Sequence, residues 1–354
     1  MSFPLAEWID GHPHCRHQLS SSGMTGSIPS PIPSPAEVRA ADDGELRRRL
    51  AEDLAVDASR VFLTTGASQA NSLVTLFLAR RDRGASPGRC RFCPPEYPPL
   101  FDNARWAGFR LTEGEGAVQL AVVSQPRNPE GDLWDRARFL DWSSGARSVL
   151  VDETFREFAG SRSLLGTDRR GLWATGSFTK FFAADHLRIG FLVAPEESVP
   201  GFARFHGLVT NPLAPFSVAG ALRALRERER IRRQVAQVLR TNLAAVRASF
   251  PGLRPPVGPT IFDRPRSGEE GDSLARRALR ASVLVASGSF FGDPSGVRVC
   301  ISRRSFPADL AAYLAVRDRF SGRTVATSPR GRATVGRPVR RHLGGSGRAK
   351  AAPS

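Results

Sequence analysis

Apolar positions recur along the chain with two periods. Between Glu45 and Ala55, Leu46, Leu50 and Leu54 fall four residues apart, which predicts one apolar face of a short amphipathic helix. Val61-Phe-Leu-Thr-Thr reads as a strand, Gly66-Ala-Ser as a turn, and Ser68 to Arg81 as a helix with an apolar stripe. Apolar runs then alternate with helical ones through Arg91-Phe-Cys, Pro99 to Ala107, Leu120 to Ser124, Leu133 to Trp142, Ser148 to Asp152, Leu172 to Ser177 and Ile189 to Ala194. Alternation of this kind predicts an α/β fold, a three-layer, mostly parallel sheet with helices on both faces. A long helical stretch from Ser217 to Phe250 leads away from the sheet. Val283 to Ala286, Val297 to Ser302 and Pro307 to Phe320 then read as strand, strand and helix of a smaller α+β domain.

The expected division is an N-terminal arm over 1–35 that joins the small domain, a large domain over 36–250, the small domain over 251–320, and a disordered basic tail over 321–354. The arm, rich in Pro and Ser, reads as irregular, and no internal repeat is present. The tail holds eight basic residues, no acid and no aromatic in a Gly/Pro/Ser-rich run, a composition that cannot bury enough apolar surface to fold.

Composition narrows the class. A chain of 354 residues with 41% hydrophobic and 24% charged positions is ordinary for a globular protein. No run approaches the length of a membrane span, and the start MSFPLAEWID is acidic where a secretion signal is basic and then apolar, so a cytoplasmic location is expected. Cys15, Cys90, Cys93 and Cys300 are too few for a disulfide scaffold. Cys90 and Cys93 form one CxxC without a second pair, and His12, His14, Cys15 and His17 lie in a Pro-broken segment, so no metal site is expected. The net charge of +17 invites a nucleic-acid reading, but nearly half the excess sits in the tail and much of the rest on solvated helix faces such as Arg223 to Arg240.

The cation usage carries chemistry. Of 51 Lys and Arg, only Lys180 and Lys350 are lysine, so Lys180 is the sole lysine ahead of the tail. Arg serves wherever charge or an ion pair suffices, but an imine with an aldehyde requires a primary amine that can lose its proton.

Four segments fall where a parallel sheet delivers side chains, at strand C-terminal ends. Thr65-Gly-Ala-Ser-Gln-Ala opens a helix whose amides at Ala67 and Ser68 suit a phosphate. Asn128, between two prolines in Gln125-Pro-Arg-Asn-Pro-Glu-Gly, reads either as a ligand amide or as a turn residue before a helix. Asp152, ending an apolar strand, reads either as a partner for a protonated ring nitrogen or as a helix cap. Gly176-Ser-Phe-Thr-Lys180 and His186-Leu-Arg188-Ile-Gly bring a hydroxyl at Ser177, the rare lysine and a bidentate cation within a dozen residues.

In this order the segments closely resemble the fold-type I pyridoxal-phosphate enzymes, specifically the class I/II aminotransferases and their histidinol-phosphate aminotransferase-like branch, over residues 18–320. GSFFG…GVRVCIS resembles the family's closing motif. The resemblance implies an aspartate-aminotransferase-like large domain, pyridoxal 5'-phosphate as an imine on Lys180, and Lys180 as general base and acid. It implies Asp152 at the pyridinium, Asn128 at the phenolic oxygen, Tyr97 stacked on the ring, and Ala67, Ser68, Ser177 and Arg188 at the phosphate. Arg298 would grip the substrate α-carboxylate, with Ser22 and Gly23 in the N-terminal substrate segment. The implied activity is transfer of an amino group between an L-amino acid and a 2-oxo acid in a homodimer.

Three positions depart from the family's pattern. Phe155 stands where a Tyr commonly donates to the phenolic oxygen, which should raise the imine pKa. The stretch VRAAD, Val38 to Asp42, lacks the tyrosine a partner subunit often sends to the phosphate, and the substrate segment reads Leu19-Ser-Ser-Ser-Gly-Met. Decarboxylation and side-chain elimination use the same scaffold, and a non-catalytic binding protein of this fold, working through its basic tail, is a further alternative.

Overall fold

The computed structural model describes residues 4–82, 87–160, 162–167, 169–265 and 270–319; the tail beyond them lies outside the described residues. Its strands are His17–Gln18 (β1), Val61–Thr64 (β2), Arg89–Arg91 (β3), Arg110–Thr112 (β4), Val118–Ser124 (β5), Ala146–Asp152 (β6), Leu172–Ser177 (β7), Gly190–Val193 (β8), Thr260–Asp263 (β9), Val283–Leu284 (β10), Ala286–Ser287 (β11) and Val297–Cys300 (β12). Seven of them form one sheet in the order β2-β8-β7-β6-β5-β3-β4. Neighbours from β7 to β4 run parallel, whereas β8 is antiparallel to both β7 and β2.

The two-residue strand period explains the three layers. Leu120 and Val122 of β5 and Leu150 of β6 pack on one face with Val74, Leu78 and Phe202. Ala121, Val123, Val149 and Val151 point to the other face and pack with Trp134 and Phe139. Strands buried on both faces need apolar runs, and β5 to β7 carry them in Leu120 to Val123, Val149 to Val151 and Leu172 to Ala174. Polar side chains appear in register at their carboxyl ends, where Ser124 lies beside Asp152 and Asp152 beside Thr175.

A second, antiparallel sheet, β11-β12-β9, packs its Ile261, Val297 and Val299 with Leu274, Phe306 and Tyr313. The arm is not irregular throughout. Pro4–Asp10 is helical, held by a hydrogen bond from Trp8 Nε1 to Val285 O of 2.8 Å, and β1 pairs in parallel with β10. The stretch from Ser217 to Phe250 is two helices, Pro215–Arg226 and Arg228–Ser249, broken at Glu227, whose carboxylate pairs with Arg223 in one and Arg230 in the other. Leu133 to Asp135 precede the helix, which begins at Arg136 because Asp135 caps it. Strand β4, strand β9 and the helices Val199–Val209 and Gly271–Arg280 were not expected from the pattern.

Among the described residues no helix is long and apolar enough to cross a membrane, and all four cysteines are free. His12 and His17 bond to Trp8 O and to the Asp309 carboxylate instead of converging on a common centre.

Candidate active site

A cavity of about 300 Å³ opens at the carboxyl ends of β5, β6 and β7. Ala67, Ser68, Tyr97, Asn128, Asp152, Ser177, Lys180, Arg188, Arg298 and Ser22 all line it. Gly23 does not; a Cβ there would sit 3.6 Å from Lys180 Cδ, so this glycine backs the lysine stem. Met24 N donates to Lys180 O at 2.8 Å, tying the arm to the lysine's backbone.

One end of the cavity is built for an anion. Gly66, at φ +111°, turns β2 into the helix Ala67–Arg81. The first intrahelical bond runs from Ala70 N to Gly66 O, which leaves the amides of Ala67 and Ser68 without helical acceptors and at the positive end of the dipole. β8 can approach this turn only because it starts at Gly190, where a Cβ would come within 2.7 Å of Gly66 Cα. The Ser177 and Thr179 hydroxyls lie 2.6 Å apart on the same wall, and the exposed Arg188 guanidinium completes the set. Arg188 sits at φ +47°, in the left-handed region that costs a non-glycine residue about 1–3 kcal/mol. Thr179 was not singled out in the sequence, although it adjoins the lysine.

The Lys180 amine is partly buried, and desolvation, reinforced by the Arg298 charge, pushes its pKa down from the ordinary lysine range. It is therefore neutral, and nucleophilic, at lower pH than a surface lysine.

Asp152 is held in one orientation. Asn71 Nδ2 donates to Oδ2 at 2.8 Å and Thr154 N to Oδ1 at 2.9 Å, while Thr175 Oγ1 donates to Asn71 Oδ1 at 2.6 Å. Asn71 and Thr175 are wholly buried, and sequence reasoning passed over both because one falls inside a helix and the other inside a strand.

A buried ion pair fixes the opposite side. Arg127 Nη1 donates to Glu96 Oε2 at 2.5 Å, and both side chains are within 1% of complete burial. The Glu96 carboxylate accepts from Ser124 N, Ser124 Oγ and Tyr97 N, and Ser124 Oγ accepts from Asn128 N at 2.9 Å. One carboxylate thus holds the segments that carry Tyr97 and Asn128. Burial, with the Asp152 charge adding to it, raises the Tyr97 phenol to about 12, so it stays protonated. Phe155 is buried at the cavity wall, edge-on to Phe158.

Arg298 is a buried cation with no carboxylate at ion-pair distance among the described residues. Its Nη2 donates to Ser20 O at 2.9 Å, its Nη1 to Asn128 Oδ1 at 3.2 Å, and its Nε has no oxygen or nitrogen acceptor. A desolvated guanidinium in this state fits an incoming carboxylate. The donor set as a whole fits a phosphorylated pyridine aldehyde: amides, hydroxyls and Arg188 for the phosphate, Asp152 for a ring nitrogen, and an amine for the aldehyde.

Three kinds of comparison bear on the arrangement. Residues 40–306 match the family model described as aminotransferase class I and II. The chain is 29% identical over 342 residues to threonine-phosphate decarboxylase of Pseudomonas aeruginosa, covering 88% of this chain and 90% of that one. It is 24% identical over 280 residues to histidinol-phosphate aminotransferase of Natronomonas pharaonis, with 73% and 77% covered. A solved PLP-dependent aminotransferase from Streptococcus suis superposes with a TM-score of 0.73 over 93% of this chain and 99% of that one, at 17% identity, a likeness of fold.

Proposed function

The chain belongs to the class I and II aminotransferase family, whose cofactor is pyridoxal 5'-phosphate, and from that premise we propose that it transfers the amino group of an L-amino acid to a 2-oxo acid with Lys180 as its catalytic residue. The observation that carries the reading is the entry of the only lysine ahead of the tail into the cavity that also holds Asp152, Ser68, Arg188 and Arg298.

The cofactor, when bound, supplies a pyridinium ring that takes up the electron pair left when a bond to the substrate α-carbon breaks. The protein's own groups do the rest. The Ala67 and Ser68 amides, Ser177, Thr179 and Arg188 would hold the phosphate, and Asp152, kept in line by Asn71, would hold a proton at the ring nitrogen. Tyr97 would cover the ring and Asn128 would meet its phenolic oxygen. Arg298 would hold the substrate α-carboxylate and so orient the bonds of the α-carbon. Lys180, which desolvation keeps neutral at lower pH than a surface lysine, would hold the cofactor's aldehyde through its amine and would serve as base and acid for the α-proton. Phe155, buried at the cavity wall, presents an apolar ring there and no hydrogen-bond donor.

Relatives of this chain include a decarboxylase as well as aminotransferases, and on this scaffold the two reactions differ in which bond to the α-carbon breaks and in where the proton is returned. Product analysis separates them. The purified protein with pyridoxal phosphate should be fixed by borohydride at Lys180, and added amino acids should yield 2-oxo acids. Release of carbon dioxide without an oxo acid would move the assignment to decarboxylation, and a Lys180→Arg protein that still formed oxo acid would remove Lys180 from its role. The same reading expects a homodimer, which light scattering checks.

A further inference from the structure

Three polar atoms of residues that line the cavity are buried without a hydrogen-bond partner among the described residues: Ser20 Oγ, Arg298 Nε and Thr154 Oγ1. The first two belong together, since Arg298 Nη2 donates to Ser20 O, and both sit at the carboxylate clamp. Thr154 belongs with Asp152. Its amide donates to Asp152 Oδ1 at 2.9 Å, and the ladder runs on past Asp152, with Glu153 N donating to Thr175 O at 2.8 Å. Two residues beyond Asp152, Thr154 therefore shares its face of the sheet and lines the same cavity. A second subunit, where it closes the cavity, adds groups to this wall and removes none.

Pyridoxal phosphate has a phosphate, a ring nitrogen, an aldehyde and a phenolic oxygen to be met. The anion end of the cavity, Asp152 and Lys180 suit the first three, which leaves the phenolic oxygen to Asn128 and to the residues that follow Asp152. Of these, Phe155 has no donor and Thr154 has a hydroxyl. A hydroxyl shielded from water and without a protein partner is in an unfavourable state, and a turn about its Cα–Cβ bond towards an acceptor in the cavity relieves it. We propose that the Thr154 hydroxyl donates to the phenolic oxygen of the bound cofactor, in place of the donor that Phe155 lacks, and takes up part of that oxygen's negative charge. This rests on the cofactor reading of the site and adds to it a residue that the sequence pattern did not single out.

The test is a pH titration of the holoenzyme's visible absorbance with no substrate present, which reads the imine proton next to that oxygen. A donor to the phenolic oxygen weakens the pull that keeps the imine protonated. Thr154→Val exchanges the hydroxyl for a methyl of similar size, and it is expected to raise the midpoint by about one pH unit or more. Thr154→Ser, which keeps the hydroxyl, should bring the midpoint back. The hydroxyl has no protein partner to lose among the described residues, so the thermal midpoint of the apoprotein should stay in place in both variants. An absorbance midpoint that Thr154→Val leaves unchanged or lowers overturns the proposal, as does a rise that Thr154→Ser fails to reverse. The readings fail separately. A wild-type protein with no absorbance that borohydride removes holds no cofactor on Lys180, and both fall. A holoenzyme indifferent to Thr154→Val removes only the role of Thr154, and the expected midpoints without oxo-acid product remove only the transamination.

Discussion

Arg298 Nη1 donates to Asn128 Oδ1 at 3.2 Å, so the cation proposed for the substrate carboxylate also sets which way the Asn128 amide faces. With its oxygen engaged, Asn128 turns its NH₂ group, a donor, to the rest of the cavity. Arg298→Met should therefore act twice. Loss of a charge-assisted pair worth about 1.5–3 kcal/mol raises the KM for amino acids roughly ten- to a hundred-fold, and the freed Asn128 alters the absorbance of the bound cofactor even without substrate. Steady-state kinetics and a spectrum of the resting enzyme read the two effects; an unchanged KM would remove Arg298 from the substrate.

Lys180 supplies the pH dependence. Desolvation and then Arg298 depress its pKa, so the fraction of neutral amine rises at lower pH than in free lysine. The rate at which the apoprotein captures pyridoxal phosphate should level off at correspondingly lower pH. Removing the guanidinium lets the amine keep its proton longer, so in Arg298→Met the midpoint moves up. A midpoint that stayed put, or moved down, would show that the two side chains do not share a field.

Much of this site was legible because buried parallel strands are monotonously apolar, so the polar residues that end them stand out. Asp152 after Val149-Leu-Val and Ser177 before Lys180 are of this kind. The supports were not legible. Asn71 and Thr175 interrupt nothing at the level of pattern, and only the fold shows that one bridges Asp152 to the other. Glu96 and Arg127 look like surface charges in Pro-rich loops until both are seen buried. Helix Pro4–Asp10 has seven residues, too few for periodicity to declare and too short to be stable by itself, and it forms because Trp8 docks it on the small sheet.

Asn71 is a positioning residue for Asp152, and its test separates that role from packing. Asn71→Ala leaves a carboxylate oxygen and the Thr175 hydroxyl without partners, a cost of about 1–3 kcal/mol. The thermal midpoint should fall, and cofactor affinity should fall further than in a control such as Leu78→Ala, which opens a cavity in the same layer. Equal loss of cofactor affinity in the two variants would make Asn71 structural only.

The chain has two tyrosines, and both are shielded. Tyr97 is raised to about 12, and Tyr313, wholly buried and donating to Asp263 Oδ2 at 2.6 Å, is held well above the ordinary phenol range. An absorbance titration of the folded protein should show no tyrosinate near pH 10. A step there would mean that at least one phenol is in water; in Tyr97→Phe such a step would have to come from Tyr313.

The Glu96–Arg127 pair predicts a destabilisation that depends on pH. Burial already pushes the Glu96 carboxyl above the usual carboxylate range, and Arg127 is the main group pulling it back. Arg127→Leu removes that pull and leaves a desolvated carboxylate, a loss of about 3–5 kcal/mol in denaturant unfolding at pH 8. In the variant, Glu96 binds its proton more tightly folded than unfolded, so stability is lost as pH rises through the raised folded value and regained as it falls. The defect should thus shrink between pH 8 and pH 5. Glu96→Gln combined with Arg127→Met, which removes both charges, should recover most of the stability at pH 8. It should not recover cofactor binding fully, because the double variant lacks the carboxylate that accepts from Ser124 and Tyr97. A double variant as unstable as Arg127→Leu would show that lost packing against Trp134, whose ring lies 4.9 Å from the guanidinium, outweighs the uncompensated charge.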